Sequence, residues 1–240
     1  MRGGLWQPIG VLPVAALDEA LLERPTEELQ ALARREGEPL RIAAACALAV
    51  RHDATGFDAL VEGLRDPNLR YPCLEAMRHL GDPRALPHAR KVRRRPFVSR
   101  FDRTQAAGVL AKLGEAEGVE HILRRLRRRF LDDDRGLACE LAGELRMREA
   151  VGALEPIASD PRDLFRGAAL KALMRIDPEA WEGPLLRIVR DEAEDEDVRC
   201  DCAEILHELG SAEARDLLAG LKTDSEELRS VLCELFDREV

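Results

Sequence analysis

The sequence predicts an all-α protein, built as a right-handed α-solenoid of about seven two-helix units. Three observations support this fold class. A similar phrase recurs seven times along the 240 residues at steady intervals. Apolar residues within each copy follow the spacing of a helix face. The composition is rich in Ala, Leu, Arg and Glu, which favour helix, and β-branched residues never alternate as a strand would require.

Each copy of the repeat carries one arginine at the same place. Successive arginines are separated by 29 to 33 residues, a regularity that indicates one structural unit per arginine. The seven arginines are Arg41, Arg70, Arg103, Arg135, Arg166, Arg199 and Arg229.

The segment after each arginine reads as the first helix of a unit. A residue three positions on is usually small, and larger apolar residues follow at six and seven positions, so these side chains share one helical stripe. A small residue there lets a neighbouring helix approach closely. The seven residues at the third position are Ala44, Cys73, Ala106, Ala138, Ala169, Cys202 and Leu232.

A tight turn and a second helix complete the unit. Gly81, Gly114 and Gly210 are predicted left-handed helix stops, and proline, as at Pro83, favours the first turn of the next helix. A second apolar stripe follows, for example over Val119–Phe130. Units of about thirty residues with two helices cannot bury their apolar faces alone, so we expect them to stack.

Two segments, Asp66–Ala85 and Asp160–Ala180, closely match a more specific pattern, D-P-x-x-R-x-x-A-x-x-A-L followed by G-D-P-x-A. This pattern resembles HEAT repeats, in particular the short HEAT-like type named after phycobilisome lyases. The resemblance covers residues 39–240, with a truncated last unit. Residues 1–38 depart from it and are predicted to form a degenerate N-terminal capping region, with Thr26 as a helix N-cap.

The resemblance implies a fold and a mode of binding through surfaces, because relatives include bilin lyases, scaffold proteins and DNA alkylation-repair glycosylases. It also implies that the repeated arginine ties adjacent units through an acid in the turn. Asp82, Glu115 and Asp177 are the acids that suit this role. The alternative is that the arginines form an anion-binding ladder.

Charge is distributed unevenly along the chain. The net charge of −9 divides into −4 over residues 1–83, +8 over residues 84–135 and −13 over residues 136–240. The resemblance implies that second helices line a concave face, where the central cations would lie side by side. Arg124, Arg127 and Arg128 are predicted to share one helical face. The predicted anion-binding residues are Arg90, Lys91, Arg94, Arg124, Arg127 and Arg128.

We interpret this basic face as a binding site for an acidic segment of another protein. Nucleic acid is the less favoured partner, because aromatic residues make up only 4% of the chain and its overall charge is negative. The alternative to any binding role is a set of solvated cations, partly neutralised by the chain's own carboxylates.

The sequence predicts no catalytic residue, metal site or cofactor. It contains no phosphate loop, dinucleotide fingerprint or nucleophile elbow. Cys200, Glu204 and His207 share a helical spacing but are one ligand short of a closed zinc site. A bilin-lyase activity rests on the resemblance alone. The chain has no apolar run of about 20 residues, so no membrane span is expected, and a cytoplasmic location follows by default.

Overall fold

A computed structural model of the chain describes residues 19–128 and 134–236. All regular structure in these residues is helical, which confirms the predicted all-α class. The residues group into two compact units: unit A comprises 19–125 with 134–137, and unit B comprises 126–128 with 138–236. The helices are α1 Glu19–Leu22, α2 Thr26–Arg34, α3 Arg41–Val50, α4 Phe57–Gly63, α5 Arg70–Leu80, α6 Ala85–Arg94, α7 Arg100–Lys112, α8 Ala116–Leu126, α9 Arg135–Glu144, α10 Val151–Ser159, α11 Arg166–Ile176, α12 Pro178–Arg190, α13 Glu196–Leu209, α14 Ala212–Ala219 and α15 Glu226–Leu235.

The N-terminal capping prediction is only partly covered by these residues. Residues 1–18 lie outside the described part, and the boundary at residue 38, like the single domain over 39–240, stays a prediction. The prediction of Thr26 as an N-cap is wrong. Helix α2 already includes Thr26, Pro25 precedes it, and the Thr26 hydroxyl instead accepts a hydrogen bond of 2.8 Å from Arg51.

The helices pack in the order that the repeat predicts. In unit A the first helices α3, α5 and α7 pack against one another, and α2, α4 and α6 each pack against the first helix that follows. In unit B the first helices α11, α13 and α15 are arranged in the same way, with α10 and α12 packed against their successors. Each unit is therefore a stack of two-helix repeats.

The predicted stripe of small residues lies in the core. The seven repeated arginines are called the ladder arginines below. The residue three positions after each of them is at most 8% exposed, so first helices do approach closely at these points. Gly143 illustrates how close the approach is, because a Cβ built there would lie 2.7 Å from the Cα of Ala172. The thiols of Cys73 and Cys202 are fully buried and serve as small core groups.

The starts of the first helices follow the N-cap chemistry. Helices α3, α5, α9 and α11 begin at the ladder arginine itself. Helices α7, α13 and α15 begin three residues earlier, because Ser99, Asp195 and Ser225 accept hydrogen bonds from backbone N–H groups of the first turn.

The turns inside the repeats use the left-handed conformation that was predicted, although not always with glycine. Gly81 and Gly114 have φ values of +66° and +82°. Gly210 does not, since its φ is −75° and Ser211 caps α14 instead. His52 occupies the left-handed position with φ of +58°, and Arg146 does the same with φ of +49°.

The turn at His52 yields a stability prediction. Asp53 N–H bonds the Leu48 carbonyl at 2.9 Å, as Glu115 N–H does with the Leu110 carbonyl around Gly114. Because His52 is exposed and occupies a position that suits glycine, we expect His52→Gly to raise the free energy of unfolding by about 1 kcal/mol. Urea unfolding measures this, with Gly114→Ala as the opposite, destabilising control. A decrease on His52→Gly would contradict the prediction.

Candidate functional site

The ladder arginines cap the ends of the preceding helices. Nε of Arg70 donates to the Leu64 carbonyl at 3.1 Å, just after the end of α4. Carbonyls at a helix C-terminus lack partners within the helix and interact favourably with cations. The corresponding bonds in other repeats join Arg41 to Ala33 at 3.1 Å, Arg103 to Arg95 at 3.3 Å, Arg166 to Ala158 at 2.9 Å and Arg199 to Val189 at 3.1 Å. Arg229 instead bonds the Thr223 carbonyl at 3.0 Å, in the loop between α14 and α15.

The guanidinium groups of Arg70, Arg166 and Arg199 also reach forward to acceptors in the next repeat. Arg70 pairs with Asp102 in α7 at 3.0 Å, and both side chains are almost completely buried. Arg166 forms a two-pronged pair with Glu194, with both N–O distances 2.7 Å. The hydrogen bond from Arg166 holds the pKa of Glu194 below its usual range. Arg199 donates to the Thr223 hydroxyl at 3.3 Å.

The expectation that acids of the turns pair with the repeated arginines is wrong. Asp82 pairs with Arg84, Glu115 with Arg90, and Asp177 caps α12 by accepting from Ala180 N–H. These acids follow the C-terminal end of a first helix, whereas the ladder arginines lie at its N-terminal end. A helix of ten residues separates the two by about 15 Å, beyond the reach of an arginine side chain.

The basic face of unit A is partly neutralised by its own carboxylates. Arg90 on α6 pairs with Glu115 at 2.5 Å and with Glu117 on α8 at 2.9 Å, while Arg93 reaches Glu117 at 2.7 Å. The hydrogen bond from Arg90 lowers the pKa of Glu117. Arg90 therefore serves to hold α6 against α8, and its charge is balanced.

Other cations on α6 have no such partner in the part of the chain that the structure describes. Lys91 and Arg94 are exposed, and within residues 19–128 and 134–236 no ion pair involves either of them. They line an open hollow of about 650 Å³ together with Pro87, Arg90 and Arg95. This hollow concentrates uncompensated positive charge on one side of α6.

The end of α8 differs from the prediction. Helix α8 stops at Leu126, so Arg127 and Arg128 follow the helix, and the interpretation that they share a helical face with Arg124 is wrong. Leu126 is the last buried apolar residue of the helix, and the following arginines offer no side chain to pack and repel one another at helical spacing. Both arginines are exposed and fall in unit B.

Arg124 takes part in a buried hydrogen-bond network that the sequence did not indicate. Its Nη2 donates to Nδ1 of His121 at 3.1 Å, and Nε2 of His121 lies 3.0 Å from Thr104 Oγ1. Thr104 in turn donates to Asp134 at 2.6 Å, so its hydroxyl accepts from His121, which fixes the neutral Nε2–H form of the ring. Arg125 pairs with the same Asp134 oxygen at 2.8 Å.

The environment of His121 keeps its ring uncharged. Burial, with the positive charges of surrounding arginines added to it, lowers the pKa of His121 to about 3. A single histidine beside an apolar stripe gave no sequence signal for such a network, because its partners Thr104 and Asp134 are distant in the chain.

The two thiols of α13 are held in the protonated form at neutral pH. Burial and nearby carboxylates raise the pKa of both Cys200 and Cys202 to about 12, so both stay protonated. Among the described residues, no three side chains of His, Cys, Asp or Glu come together as metal ligands do. None of the described helices is both long and apolar enough to cross a membrane.

Comparison with known proteins supports the fold. No protein-family model matches the chain, and no curated protein matches it in sequence. Among solved structures, it is similar to a chain of the complex of CpcE and CpcF of phycocyanin lyase from Nostoc sp. PCC7120, with 19% identity and a TM-score of 0.54. The match covers 89% of this chain and 87% of the other. It shows an α-solenoid of HEAT-like repeats, which confirms at the level of the fold the resemblance predicted from the repeat pattern.

Proposed function

We propose that this chain is a non-catalytic interaction module that binds an acidic segment of another protein through the basic face of α6. The observation that carries the proposal is the set of exposed cations along one hollow, Lys91, Arg94 and Arg95, for which the described residues contain no ion-pair partner. Where a cation of α6 has a structural task, as Arg90 and Arg93 do, a carboxylate accompanies it. The cations of the hollow, Lys91, Arg94 and Arg95, raise the local positive potential and attract anionic ligands.

The similar solved structure supports a protein as the partner, since that chain is part of a complex of two proteins. The chemistry of α6 supports the acidic character of the segment. Carboxylates spaced along an extended chain would reach several cations at once, so binding should weaken as salt is added.

Charge reversal on α6 tests the proposal. We expect Lys91→Glu together with Arg94→Glu to weaken binding of a fluorescein-labelled poly-glutamate peptide at least tenfold, and added salt to weaken the wild type in the same direction. Both side chains are exposed, so circular dichroism and the melting temperature should not change. Fluorescence anisotropy at two salt concentrations provides the measurement.

Unit B offers a matched control for this experiment. Arg187 and Arg190 are also exposed, lie on a second helix, α12, and have the same three-residue spacing as Lys91 and Arg94. The Arg187→Glu and Arg190→Glu double variant changes the net charge equally and should leave binding nearly intact. Equal losses in the two double variants would show that only net charge matters. Arg124 is avoided because it holds His121.

A lyase-type role is the second candidate, and the similar solved structure is the observation that favours it, because that chain belongs to a phycocyanin lyase. Under this proposal the chain would assist attachment or removal of a bilin on a partner subunit. Incubation with a linear tetrapyrrole and a bilin-free phycocyanin subunit tests it, with the absorbance spectrum as readout. An unchanged spectrum, alongside an intact positive control enzyme, would remove this candidate.

A further inference from the structure

The turn between α6 and α7 displays an aromatic side chain to solvent. Phe97 has a relative exposure of 103%, the highest among the large apolar side chains that the structure describes. Its backbone φ is +59°, a left-handed conformation that bulky residues rarely adopt. Glycine or asparagine would occupy this position more easily, so a phenylalanine there is unfavourable both in conformation and in solvation.

The residues on either side of Phe97 are held firmly. Val98 is buried with 8% exposure, and Ser99 caps α7 by accepting from Asp102 N–H at 3.0 Å. On the other side, the Arg95 carbonyl accepts a hydrogen bond from Arg103. The ring therefore projects from a fixed turn. Strain and exposure at one residue, with no contact among the described residues to offset them, are typical of a binding position.

A hollow lies beside the exposed ring. It has a volume of about 530 Å³ and lies between the loops that precede α5 and α7. The buried Arg70–Asp102 ion pair also lines it, so its one lining carboxylate is already balanced. Its apolar and aromatic lining comes from Pro67, Tyr71, Pro96, Phe97 and Val98. An apolar side chain of a partner could enter this hollow and contact Phe97.

The charge around the turn matches the proposed partner. Arg94 and Arg95 directly precede Pro96 and Phe97, and Lys91 lies one helical turn earlier, so the unpaired cations of α6 lead towards the exposed ring. Arg95 lines both hollows. The basic hollow on α6 and the apolar hollow at the turn are thus neighbouring parts of one surface.

We infer that the Phe97 turn is the specificity-determining part of this surface, and that the acidic segment carries an apolar or aromatic residue next to its carboxylates. This inference rests on the proposed function, because it assigns a residue type to the part of the acidic segment that would enter the hollow beside Phe97. A concave, partly aromatic hollow favours a protein side chain over a membrane, which needs no hollow. Single-stranded nucleic acid would instead stack a base on the ring.

The test compares two labelled peptides of alternating Glu and Asp, one with Leu-Phe at its centre and one with Ser-Ser. We expect the wild type to bind the Leu-Phe peptide at least tenfold more tightly, and Phe97→Gly to remove that preference while binding the Ser-Ser peptide unchanged. Since Phe97→Gly relieves the left-handed strain, its melting temperature should equal or exceed that of the wild type, and loss of fold cannot imitate the result. Phe97→Trp should retain the preference.

Leu164 provides the control, because it is 78% exposed in a loop of unit B, and Leu164→Gly should alter neither peptide affinity. If both peptides bind equally and Phe97→Gly changes nothing, the inference about Phe97 is wrong while the proposed function stands. If neither peptide binds, the proposed function fails as well. Binding of labelled oligo-dT or of phosphatidylserine vesicles that is lost in Phe97→Gly, without peptide binding, would also overturn the inference.

Discussion

Replacing Asp102 with alanine is expected to lower the free energy of unfolding by about 3–5 kcal/mol, the largest effect of any single ladder contact. The Arg70 and Asp102 side chains are 5% and 6% exposed and lie 3.0 Å apart, so the variant would leave a buried guanidinium without its counter-ion. Among the described residues, Arg70 would keep one hydrogen bond, from its Nε to the Leu64 carbonyl. Urea unfolding followed by circular dichroism measures the loss.

A double variant separates the effect of leaving Arg70 without a counter-ion from the effect of removing side-chain volume at Asp102. In Arg70→Met with Asp102→Ala, no buried charge remains, so we expect most of the stability to return. The pair of Arg166 and Glu194 supplies the comparison in unit B. Glu194 is more exposed, at 16%, and water can solvate Arg166 when the acid is removed. Glu194→Ala should therefore cost less than Asp102→Ala, about 2 kcal/mol. A similar loss for Asp102→Ala and Glu194→Ala would contradict the argument from burial.

The spacing of the arginines was sufficient to predict the repeat, the first helices and the buried small residues, because all of these are periodic. The partners of the arginines were not predictable, since two kinds of acid, in the turns and in the inter-repeat loops, stand at plausible distances in sequence. In the structure the partners are Asp102 and Glu194, because these acids lie at the same end of the first helices as the arginines.

The candidate surface was predictable only in its sign of charge. The sequence places ten cations on two second helices, but it does not indicate that Arg90 and Arg93 are held by Glu117 or that α8 ends before Arg127. Pairing depends on which side chains face each other across repeats, which a residue count cannot show. Phe97 did carry a signal, as a large apolar residue inside a run of arginines where a polar loop is expected.

The stability of the chain is expected to fall as the pH is lowered from about 6.5, in part through His121. The ring is neutral in the native state because burial and the charges of Arg93, Arg103, Arg124 and Arg125 lower its pKa to about 3. It donates to Thr104, which is bonded to Asp134. In the unfolded chain the ring has an ordinary pKa near 6.5 and takes up a proton below that pH.

The sign of the effect follows from proton binding. Between pH 6.5 and 3 the unfolded state binds one more proton at His121 than the native state, so the free energy of unfolding decreases as pH falls. The decrease attributable to this ring approaches about 1.4 kcal/mol per pH unit. His121→Gln removes the titrating group, and its stability curve should be flatter than that of the wild type from pH 7 to pH 5.

Thr104→Val distinguishes titration from loss of a hydrogen bond. It removes the hydroxyl that accepts from His121 but keeps the burial of the ring, which is the largest cause of its lowered pKa, and the nearby arginine charges, which add to it. This variant should be less stable than the wild type at every pH and keep the same slope. His121→Gln thus changes the slope of the curve of stability against pH, whereas Thr104→Val lowers the whole curve and keeps its slope. Parallel curves for wild type and His121→Gln would show that His121 is not the group that takes up the proton.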